Sequence, residues 1–261
     1  MEKAIIVAAG PGTRLRPYTN DRPKCIIEIN GKTILSRIVE ALRKNNVKNI
    51  VIVTGYKRNE IEKRYPEFVH YHNPDYSNSN ILKSLFCAQE EMDEGFIFSY
   101  SDIIYGPKIV ERLLNSDGDI SIIVDVDWEK RYEGRTQHPT DEAELVVVEG
   151  NKVVKISKFM NPNIAHGEFI GLTKFTKKGA EILKRNYKRI LENRWCRWLI
   201  NQRFQDAISI EKAYLTDMFQ ELIDRGYHIE NVDICGNPSW IEIDTPQDLK
   251  RAQVFLSNVL L

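Results

Sequence analysis

Short apolar runs alternate with amphipathic segments along this chain, and this alternation restricts its fold more than any other feature. Each run is long enough for one strand, and the segments between them carry apolar residues at helical spacing, as at Ile34, Ile38 and Leu42. Because parallel strands need a crossover connection, usually a helix, the pattern predicts an α/β fold with a mostly parallel, mixed sheet flanked by helices. The predicted strands cover 3–8, 50–54, 68–72, 96–101, 119–126, 167–175, 229–235 and 240–244.

Helical spacing is clearest over 33–45, 80–92 and 214–225, where we predict helices that face the core. A β-hairpin is predicted over 144–157, because two valine-rich runs flank a turn-forming sequence around Gly150. The length of 261 residues is normal for one α/β domain, and no linker rich in serine or glycine divides it. We therefore expect a single domain over the whole chain.

The charge balance and the cysteines argue against several kinds of partner and site. Lys plus Arg and Asp plus Glu both number 37, so no global field favours nucleic acid, and any anion site must be local. The four cysteines are far apart and form no C-x-x-C pair, which argues against disulfides and zinc and indicates a reducing, cytoplasmic environment. No apolar run approaches the roughly 20 residues that span a bilayer, so we expect no membrane insertion.

The first predicted strand runs directly into a glycine-rich turn. The segment Ala9-Gly10-Pro11-Gly12-Thr13 follows the strand, and Arg14 and Lys24 add cationic donors after it. Glycine has no Cβ to hold a ligand away, so such a turn can bring backbone N–H groups against phosphate oxygens. A Gly-x-Gly pair alone is weak evidence, because a dinucleotide fingerprint needs a third glycine that is missing here. A tight turn with solvated charges is the alternative.

The whole string from Gly10 to Lys24 is far more specific. It resembles the motif G-x-G-T/S-R-L-x-P-x-T-x-x-x-P-K of nucleotidyltransferases that couple a nucleoside triphosphate to a phosphorylated metabolite, and every fixed position is met. The resemblance implies the Rossmann-like fold of the nucleotide-diphospho-sugar transferases. It also implies that Lys24 and Arg14 are catalytic.

Nucleotide binding is expected along the loop and near the start of the helix predicted over 80–92. In the family that the chain resembles, pyrimidines are read at the place of the segment 76–80 and of Ser84, where a small polar group leaves a wrong base unpaired. Asn80 is equally suited to cap the helix, and Asn78 could merely shape the turn. The implied nucleotide-binding residues are Ala8, Ala9, Gly10, Gly12, Thr13, Asn78, Asn80, Ser84 and Ser101.

Two acidic clusters lie at predicted strand ends. Asp102 follows a strand at the carboxyl end of the sheet, and Glu242 and Asp244 alternate along another strand and so point to one face. Both places resemble the family's metal-binding positions, and departing pyrophosphate needs a cation to neutralise its charge. Magnesium takes oxygen ligands, so we predict a Mg²⁺ site made by Asp102 and Asp244, with Glu242 as a third ligand. Acidic strand ends without a metal are the alternative.

A second lysine is expected on the acceptor side. The segment 153–158 resembles the stretch in which sugar nucleotidyltransferases place a lysine that contacts the acceptor phosphate. Lys155 and Lys158 lie three apart on a strand and face opposite sides, so only one can enter the site, and we choose Lys158. A solvated lysine at a sheet edge is the alternative.

Four segments of the second half resemble the cytidylyltransferases found with phosphoenolpyruvate mutase in phosphonate biosynthesis, and more distantly those acting on phosphocholine and phosphoglutamine. These segments are 128–139, 141–144, 167–172 and 213–218. The residues that could donate hydrogen bonds to a phosphonate dianion are Arg131, Arg135 and His138. The acidic residues that could bind an ammonium or hydroxyl at the other end of the acceptor are Glu168 and Asp217. For each residue, a surface loop or a structural ion pair is the alternative.

Together these patterns predict a magnesium-dependent cytidylyltransferase that transfers CMP from CTP to a small phosphonate or phosphate and releases pyrophosphate. The preferred acceptor is 2-aminoethylphosphonate or a related phosphonate. Residues 1–126 would mainly bind the nucleotide, and 127–261 would bind the acceptor and complete the metal site. Alternatives are a sugar-1-phosphate nucleotidyltransferase, a cytidylyltransferase for phosphocholine or phosphoglutamine, and a non-catalytic nucleotide-binding regulator. A helical stripe of Leu191, Trp195 and Trp198 favours internal packing or contact with a second copy in a homodimer, and binding to a membrane surface is the alternative.

Overall fold

The structure is a computed structural model that describes residues 1–197, 203–236 and 239–258. The strands are Lys3–Ala8 (β1), Glu28–Ile29 (β2), Lys32–Thr33 (β3), Asn49–Thr54 (β4), Val69–His72 (β5), Phe96–Tyr100 (β6), Ile103–Tyr105 (β7), Ile120–Asp125 (β8), Leu145–Glu149 (β9), Lys152–Ser157 (β10), Gly167–Phe175 (β11), Glu230–Ile234 (β12) and Trp240–Glu242 (β13). The helices are Ile34–Arg43 (α1), Arg58–Arg64 (α2), Ile81–Phe86 (α3), Pro107–Leu114 (α4), Trp128–Tyr132 (α5), Lys177–Arg197 (α6), Leu215–Asp224 (α7) and Pro246–Asn258 (α8).

A nine-stranded mixed sheet has the order β5-β4-β1-β6-β11-β8-β12-β10-β9. Strands β5, β4, β1 and β6 run parallel, and so do β8 and β12. Strand β11 and the hairpin of β9 and β10 pair antiparallel with their neighbours. The predicted mixed sheet flanked by helices is confirmed, but the second half contributes more antiparallel pairs than its sequence indicated.

The sheet reverses its direction of growth at β1. Strands β4 and β5 extend it on one side of β1, and β6 pairs on the other side. Such a reversal leaves a crevice outside the carboxyl ends of the two central strands, here β1 and β6. The glycine-rich loop follows β1 and Asp102 follows β6, so both lie at this crevice.

Both faces of the sheet are covered. In β1, Ile5 and Val7 belong to one apolar cluster, which receives α3, α6 and α7. Ala4 and Ile6 belong to the other cluster, which receives α1, α4 and α8. A parallel strand that is buried on both faces is an unbroken apolar run, which is why β1 is conspicuous in the sequence.

Helix α1 forms as its apolar spacing predicts. Ile34, Ile38 and Leu42 are fully buried. Thr33 caps the start of the helix, because its hydroxyl oxygen accepts a hydrogen bond from the backbone N–H of Ser36 at 2.9 Å. The predicted hairpin is also confirmed, as β9 and β10.

Two predicted elements are shorter than expected. The helix predicted over 80–92 is α3 followed by a 3-10 turn. The strand predicted over 240–244 is only β13, because the backbone N–H groups of Asp244 and Thr245 donate to Asp248 in the first turn of α8.

Helix α6 begins at Lys177, well before the helical stripe that the sequence indicated from Leu191 onward, because charged residues interrupt the apolar spacing of its first part. Of the predicted stripe, the side chain of Trp195 and all of Trp198 lie outside the described residues. No helix in the described ranges combines the length and the apolar character needed to cross a membrane.

Candidate active site

The crevice between β1 and β6 brings together residues from three distant parts of the chain. Strand β13 pairs antiparallel with β7, which closely follows β6, and the N–H of Ile243 donates to the carbonyl oxygen of Asp102 at 2.9 Å. This pairing carries Asp244 to the side of Asp102. The ammonium of Lys24 contacts both carboxylates.

Two cavities open at this crevice, and they share Asn80, Ile81 and Asp102. The loop cavity has a volume of about 160 Å³, and the neighbouring acidic cavity has a volume of about 430 Å³. The predicted nucleotide-binding residues that line the loop cavity are Ala8, Ala9, Gly10, Gly12, Asn80, Ser84 and Ser101. The carboxylates that line the acidic cavity are Asp102, Glu142, Glu144, Glu168, Glu242 and Asp244. Thr13, Arg14 and Lys158 line the same cavity.

Gly12 allows the loop to turn tightly. Its φ of +58° lies in the left-handed region. A Cβ at this position would lie 3.2 Å from Lys24 Cβ and 3.3 Å from Thr19 Cγ2. The Thr19 hydroxyl donates to the carbonyl oxygen of Gly12 at 2.8 Å. The loop therefore closes against Lys24 in a way that a larger residue would oppose.

Lys24 is a positive charge fixed between two negative ones. Its Nζ lies 3.0 Å from Asp102 Oδ2 and makes a short contact with Asp244 Oδ1. Burial alone would lower the pKa of Lys24, but the charges of Asp102 and Asp244 outweigh burial and raise that pKa. The ammonium therefore stays charged where the two cavities meet.

Asp244 is buried and contacts a second cation. Arg14 Nη2 donates to Asp244 Oδ2 at 2.7 Å, and Arg14 Nη1 lies 3.3 Å from Glu142 Oε2 at the more exposed side. Burial would raise the pKa of Asp244, but Lys24 and Arg14 together hold that pKa well below its usual range. Asp244 is therefore a carboxylate throughout the physiological range.

The predicted metal-binding residues meet the chemical requirements of a hard cation. Asp102 Oδ1 is buried and has no hydrogen-bond partner in the part of the chain that the structure describes. Burial and the neighbouring charge of Asp244 raise the pKa of Glu242 well above its usual range. A divalent cation would satisfy the orphaned oxygen and relieve the repulsion between the carboxylates. The residues present therefore fit Mg²⁺, with Asp102 and Asp244 as oxygen ligands.

His138 belongs to this carboxylate cluster. Its Nδ1 lies 3.4 Å from Asp244 Oδ2, and its Nε2 lies 3.6 Å from Glu242 Oε2. Burial and the charge of Arg135 lower the pKa of His138 to about 4. The expectation that His138 holds the acceptor's dianion is therefore corrected, because a buried, uncharged ring among carboxylates offers an anion little.

The two arginines of the predicted acceptor clamp are held in ion pairs. Arg135 Nε donates to Asp248 at 2.8 Å, and its Nη2 donates to Glu242 at 3.1 Å. Arg131 Nε donates to the buried Asp125 at 2.9 Å. Neither arginine is among the described residues that line the acidic cavity. The assignment of Arg131 and Arg135 to the acceptor is corrected, because buried carboxylates already take up their charges.

The structure separates the two acids predicted for the distal end of the acceptor. Asp217 accepts from the backbone N–H groups of Tyr214 at 2.7 Å and Asp206 at 2.9 Å, so it caps α7, and its assignment to the acceptor is corrected. Glu168 lines the acidic cavity and accepts from the Tyr132 hydroxyl at 2.6 Å through Oε1. Its Oε2 has no partner within the described ranges, and burial raises the pKa of Glu168 to about 8.

Of the two candidate lysines, Lys158 faces the acidic cavity and Lys155 is exposed. Lys158 Nζ lies 4.2 Å from the centre of the Tyr214 ring and 3.8 Å from Glu144 Oε1. Burial would lower the pKa of Lys158, but Glu144 outweighs burial and raises it. A half-buried cation therefore lines the acidic cavity, and its role toward an acceptor stays a prediction.

The predicted base-reading residues have structural partners as well. Asn80 caps α3 by accepting from the N–H of Ile81 at 2.9 Å, and it lines both cavities. Ser84 receives a hydrogen bond from Asn73 Nδ2 at 2.9 Å and faces the loop cavity. Asn78 donates to Asp75 at 3.1 Å within its turn and lines neither cavity.

Three further residues line the acidic cavity and were not predicted as site residues: Tyr100, Glu144 and Tyr214. Glu144 and Tyr214 belong to the segments 141–144 and 213–218, which the resemblance had singled out without assigning these two residues a role. The Tyr100 hydroxyl donates to Glu144 Oε2 at 3.0 Å. Tyr100 lies two residues before Asp102, and that proximity was an available signal. The segment 141–144 was the available signal for Glu144, and the pairing of β9 with β11 is what brings this residue to the cavity.

Known proteins share this fold and this arrangement of elements. The model of the MobA-like NTP transferase domain matches residues 4–168. The CTP:phosphoglutamine cytidylyltransferase of Campylobacter jejuni is 31% identical over 95% of this chain and 97% of its own length. The 2-aminoethylphosphonate cytidylyltransferase of Lancefieldella rimae is 36% identical over 36% of this chain and 40% of its own length.

A solved structure of the inositol-1-phosphate CTP transferase from T. maritima covers all of this chain and 98% of its own, with a TM-score of 0.74 at 22% identity. This likeness confirms the predicted fold type. The family match extends over more than half of the chain, and a relative above 30% identity aligns over nearly all of it. The chain is therefore a nucleotidyltransferase that belongs to the family of MobA-like NTP transferases.

Proposed function

We propose that this protein transfers CMP from CTP to a small phosphonate or phosphate acceptor and releases pyrophosphate. The observation that carries the proposal is the position of Lys24, which Asp102 and Asp244 hold where the loop cavity meets the acidic cavity. A nucleotide in the first cavity and an acceptor in the second would meet beside this charge. Both relatives named above are cytidylyltransferases, which supports CTP as the nucleotide.

The loop cavity is suited to the nucleotide. All the described residues that line it fall within 1–126, which supports a nucleotide-binding role for that part of the chain. The loop through Gly10 and Gly12 would face the phosphates, and Arg14 at the half-exposed mouth would hold the β- and γ-phosphates. Asn80 and Ser84 offer polar groups to the base, whereas Asn78 would act only through the shape of its turn.

The reaction must join two anions. An oxygen of the acceptor attacks the α-phosphorus of CTP, a new P–O bond forms, and the bond to pyrophosphate breaks. That oxygen is already anionic near neutral pH, so no general base is needed, and alignment of the two anions supplies most of the catalysis. Lys24 would stabilise the charge that grows on the α-phosphate. Mg²⁺ held by Asp102 and Asp244 would neutralise the departing pyrophosphate.

The acidic cavity favours an acceptor that carries a cation as well as its phosphonate. Lys158 can pair with the dianion. Oε2 of Glu168, which has no partner among the residues that the structure describes, would accept a hydrogen bond from an ammonium, whose charge would in turn favour the ionised form of this acid. 2-Aminoethylphosphonate offers both groups, and we propose it or a related aminophosphonate as the acceptor.

Pyrophosphate release measured with a panel of nucleotides and acceptors tests this function. We expect CTP to be preferred over the other nucleoside triphosphates, and 2-aminoethylphosphonate over 2-hydroxyethylphosphonate and glucose-1-phosphate. Phosphocholine and phosphoglutamine complete the panel, because phosphoglutamine is named for the Campylobacter relative and also carries an amino group. A clear preference for glucose-1-phosphate would overturn the proposed acceptor, and no release with CTP would overturn the proposed reaction.

Glu168→Gln should change acceptor choice. The amide keeps the shape but loses the charge that meets the ammonium, and a hydrogen bond to a charged group contributes about 1.5–3 kcal/mol. We expect kcat/KM for 2-aminoethylphosphonate to fall on the order of 10-fold more than that for 2-hydroxyethylphosphonate. The matched control is Glu142→Gln, which removes the same charge at the half-exposed mouth of the cavity and should affect both acceptors alike. Equal losses for both acceptors in Glu168→Gln would remove Glu168 from this role.

A further inference from the structure

The reaction described above leaves His138 without a task. Its side chain is 2% exposed, and Nδ1 has no hydrogen-bond partner within residues 1–197, 203–236 and 239–258. A buried nitrogen without a partner is unfavourable unless another group satisfies it. This nitrogen faces the carboxylate of Asp244.

The distances around His138 suit one metal ion. Nδ1 lies 3.4 Å from Asp244 Oδ2, and one donor atom from each of His138, Glu242 and Asp244 lies within 4.8 Å of the others. Two ligands that are each about 2.1 Å from one ion lie roughly 3.0–3.4 Å apart. The imidazole and the Asp244 carboxylate therefore already have the spacing of two ligands, and Glu242 is close enough to join them.

Outer hydrogen bonds hold these side chains in place. Arg135 Nη2 donates to Glu242 at 3.1 Å, and Arg135 Nε donates to Asp248 at 2.8 Å. In metal sites, hydrogen bonds from surrounding residues orient the side chains that bind the ion. Arg14 donates to the same oxygen of Asp244 that His138 faces, but a carboxylate oxygen has two lone pairs and can serve both a donor and a cation.

We propose that His138 is a nitrogen ligand of the divalent cation that Glu242 and Asp244 help to hold, so that this centre binds Mn²⁺ more tightly than Mg²⁺. This proposal depends on the proposed function in one respect, which is that the reaction uses a divalent cation. Mg²⁺ is bound by oxygen ligands, whereas imidazole suits transition metals. A purely oxygen-ligated centre would not use this ring.

Mn²⁺ is the probe, because its unpaired electrons report coupled nitrogen nuclei. The full chain is titrated with Mn²⁺, with and without CTP, and electron paramagnetic resonance measures the free ion. Electron spin-echo envelope modulation then records ¹⁴N coupling to the bound ion. We expect this coupling in the parent and its loss in His138→Gln, whose dissociation constant for Mn²⁺ should rise on the order of 10-fold, against less than about threefold for Mg²⁺.

His166→Gln is the matched control, because His166 is partly exposed and its ring contacts Asp233, outside both cavities. It should keep the ¹⁴N coupling. If His138→Gln does not fold, the same measurement is made on the parent protein labelled with ¹⁵N-histidine. The nitrogen modulation of the bound Mn²⁺ must then appear at the ¹⁵N frequency instead of the ¹⁴N frequency.

Bound Mn²⁺ without histidine coupling in the parent would overturn the proposal and leave the transferase reaction intact. Histidine coupling in a protein that releases no pyrophosphate from CTP would uphold the metal site and overturn the reaction.

Discussion

Lys24→Ala should reduce kcat on the order of 100-fold or more and weaken CTP binding much less. The ammonium lies where charge grows on the α-phosphate, so its stabilising effect is larger in the transition state than in the bound substrate. Single-turnover rates at saturating CTP measure this loss directly, and equilibrium binding of CTP measures the ground state. A single-turnover rate within about threefold of the parent would contradict the role.

The structure adds a condition to that experiment. Removing Lys24 leaves Asp102 and Asp244 without the cation they share, and the buried Asp244 keeps the guanidinium of Arg14 as a partner. The variant should therefore unfold at a lower temperature, and added Mg²⁺ should recover part of the loss, so rates must be corrected for the folded fraction. Lys155→Ala is the control, because Lys155 is exposed and should change neither quantity.

Asp244→Asn should raise the Mg²⁺ concentration needed for half-maximal turnover on the order of 10-fold or more, because it removes one anionic oxygen from a hard-cation site. Asp102→Asn should act in the same direction. We expect the larger effect at Asp244, because Lys24 and Arg14 both rely on this carboxylate for their position. Titration of turnover with Mg²⁺ at fixed CTP gives the measurement, and Glu242→Gln should show a smaller shift.

A charge-matched control for these variants is Asp233→Asn. Asp233 lines neither cavity and contacts His166 on a partly exposed surface. Its replacement should leave the Mg²⁺ requirement unchanged. Normal Mg²⁺ dependence in both Asp102→Asn and Asp244→Asn would place the metal elsewhere.

The first half of the chain was predictable because its signals are local. The apolar run of β1, the glycines after it and Lys24 lie within one short stretch, so their relation follows from the path of a few residues. Asp102 could be predicted in the same way, because it directly follows the strand that became β6. The structure places these residues at one crevice.

The charged residues of the second half show where such reasoning ends. Arg131, Arg135, His138 and Asp217 all have the chemistry expected of an acceptor site, and the structure gives each of them another environment. A side chain's chemistry is visible in the sequence, but the partner that takes up its charge is not.

The sequence by itself determined the α/β class, the loop motif and the positions of most strands along the chain, because these depend on spacing between near neighbours. Only the tertiary structure decided which charged groups face the cavity. Arg135 and its partner Asp248 are 113 positions apart, and the packing of α8 brings them together. The pairing of β11 with β8 and β9 places Glu168 beside the cavity, with one oxygen that has no hydrogen-bond partner among the described residues. His138 lies among carboxylates that are more than 100 positions away in the sequence, because a buried charge is stabilised only by the partners that the fold brings to it.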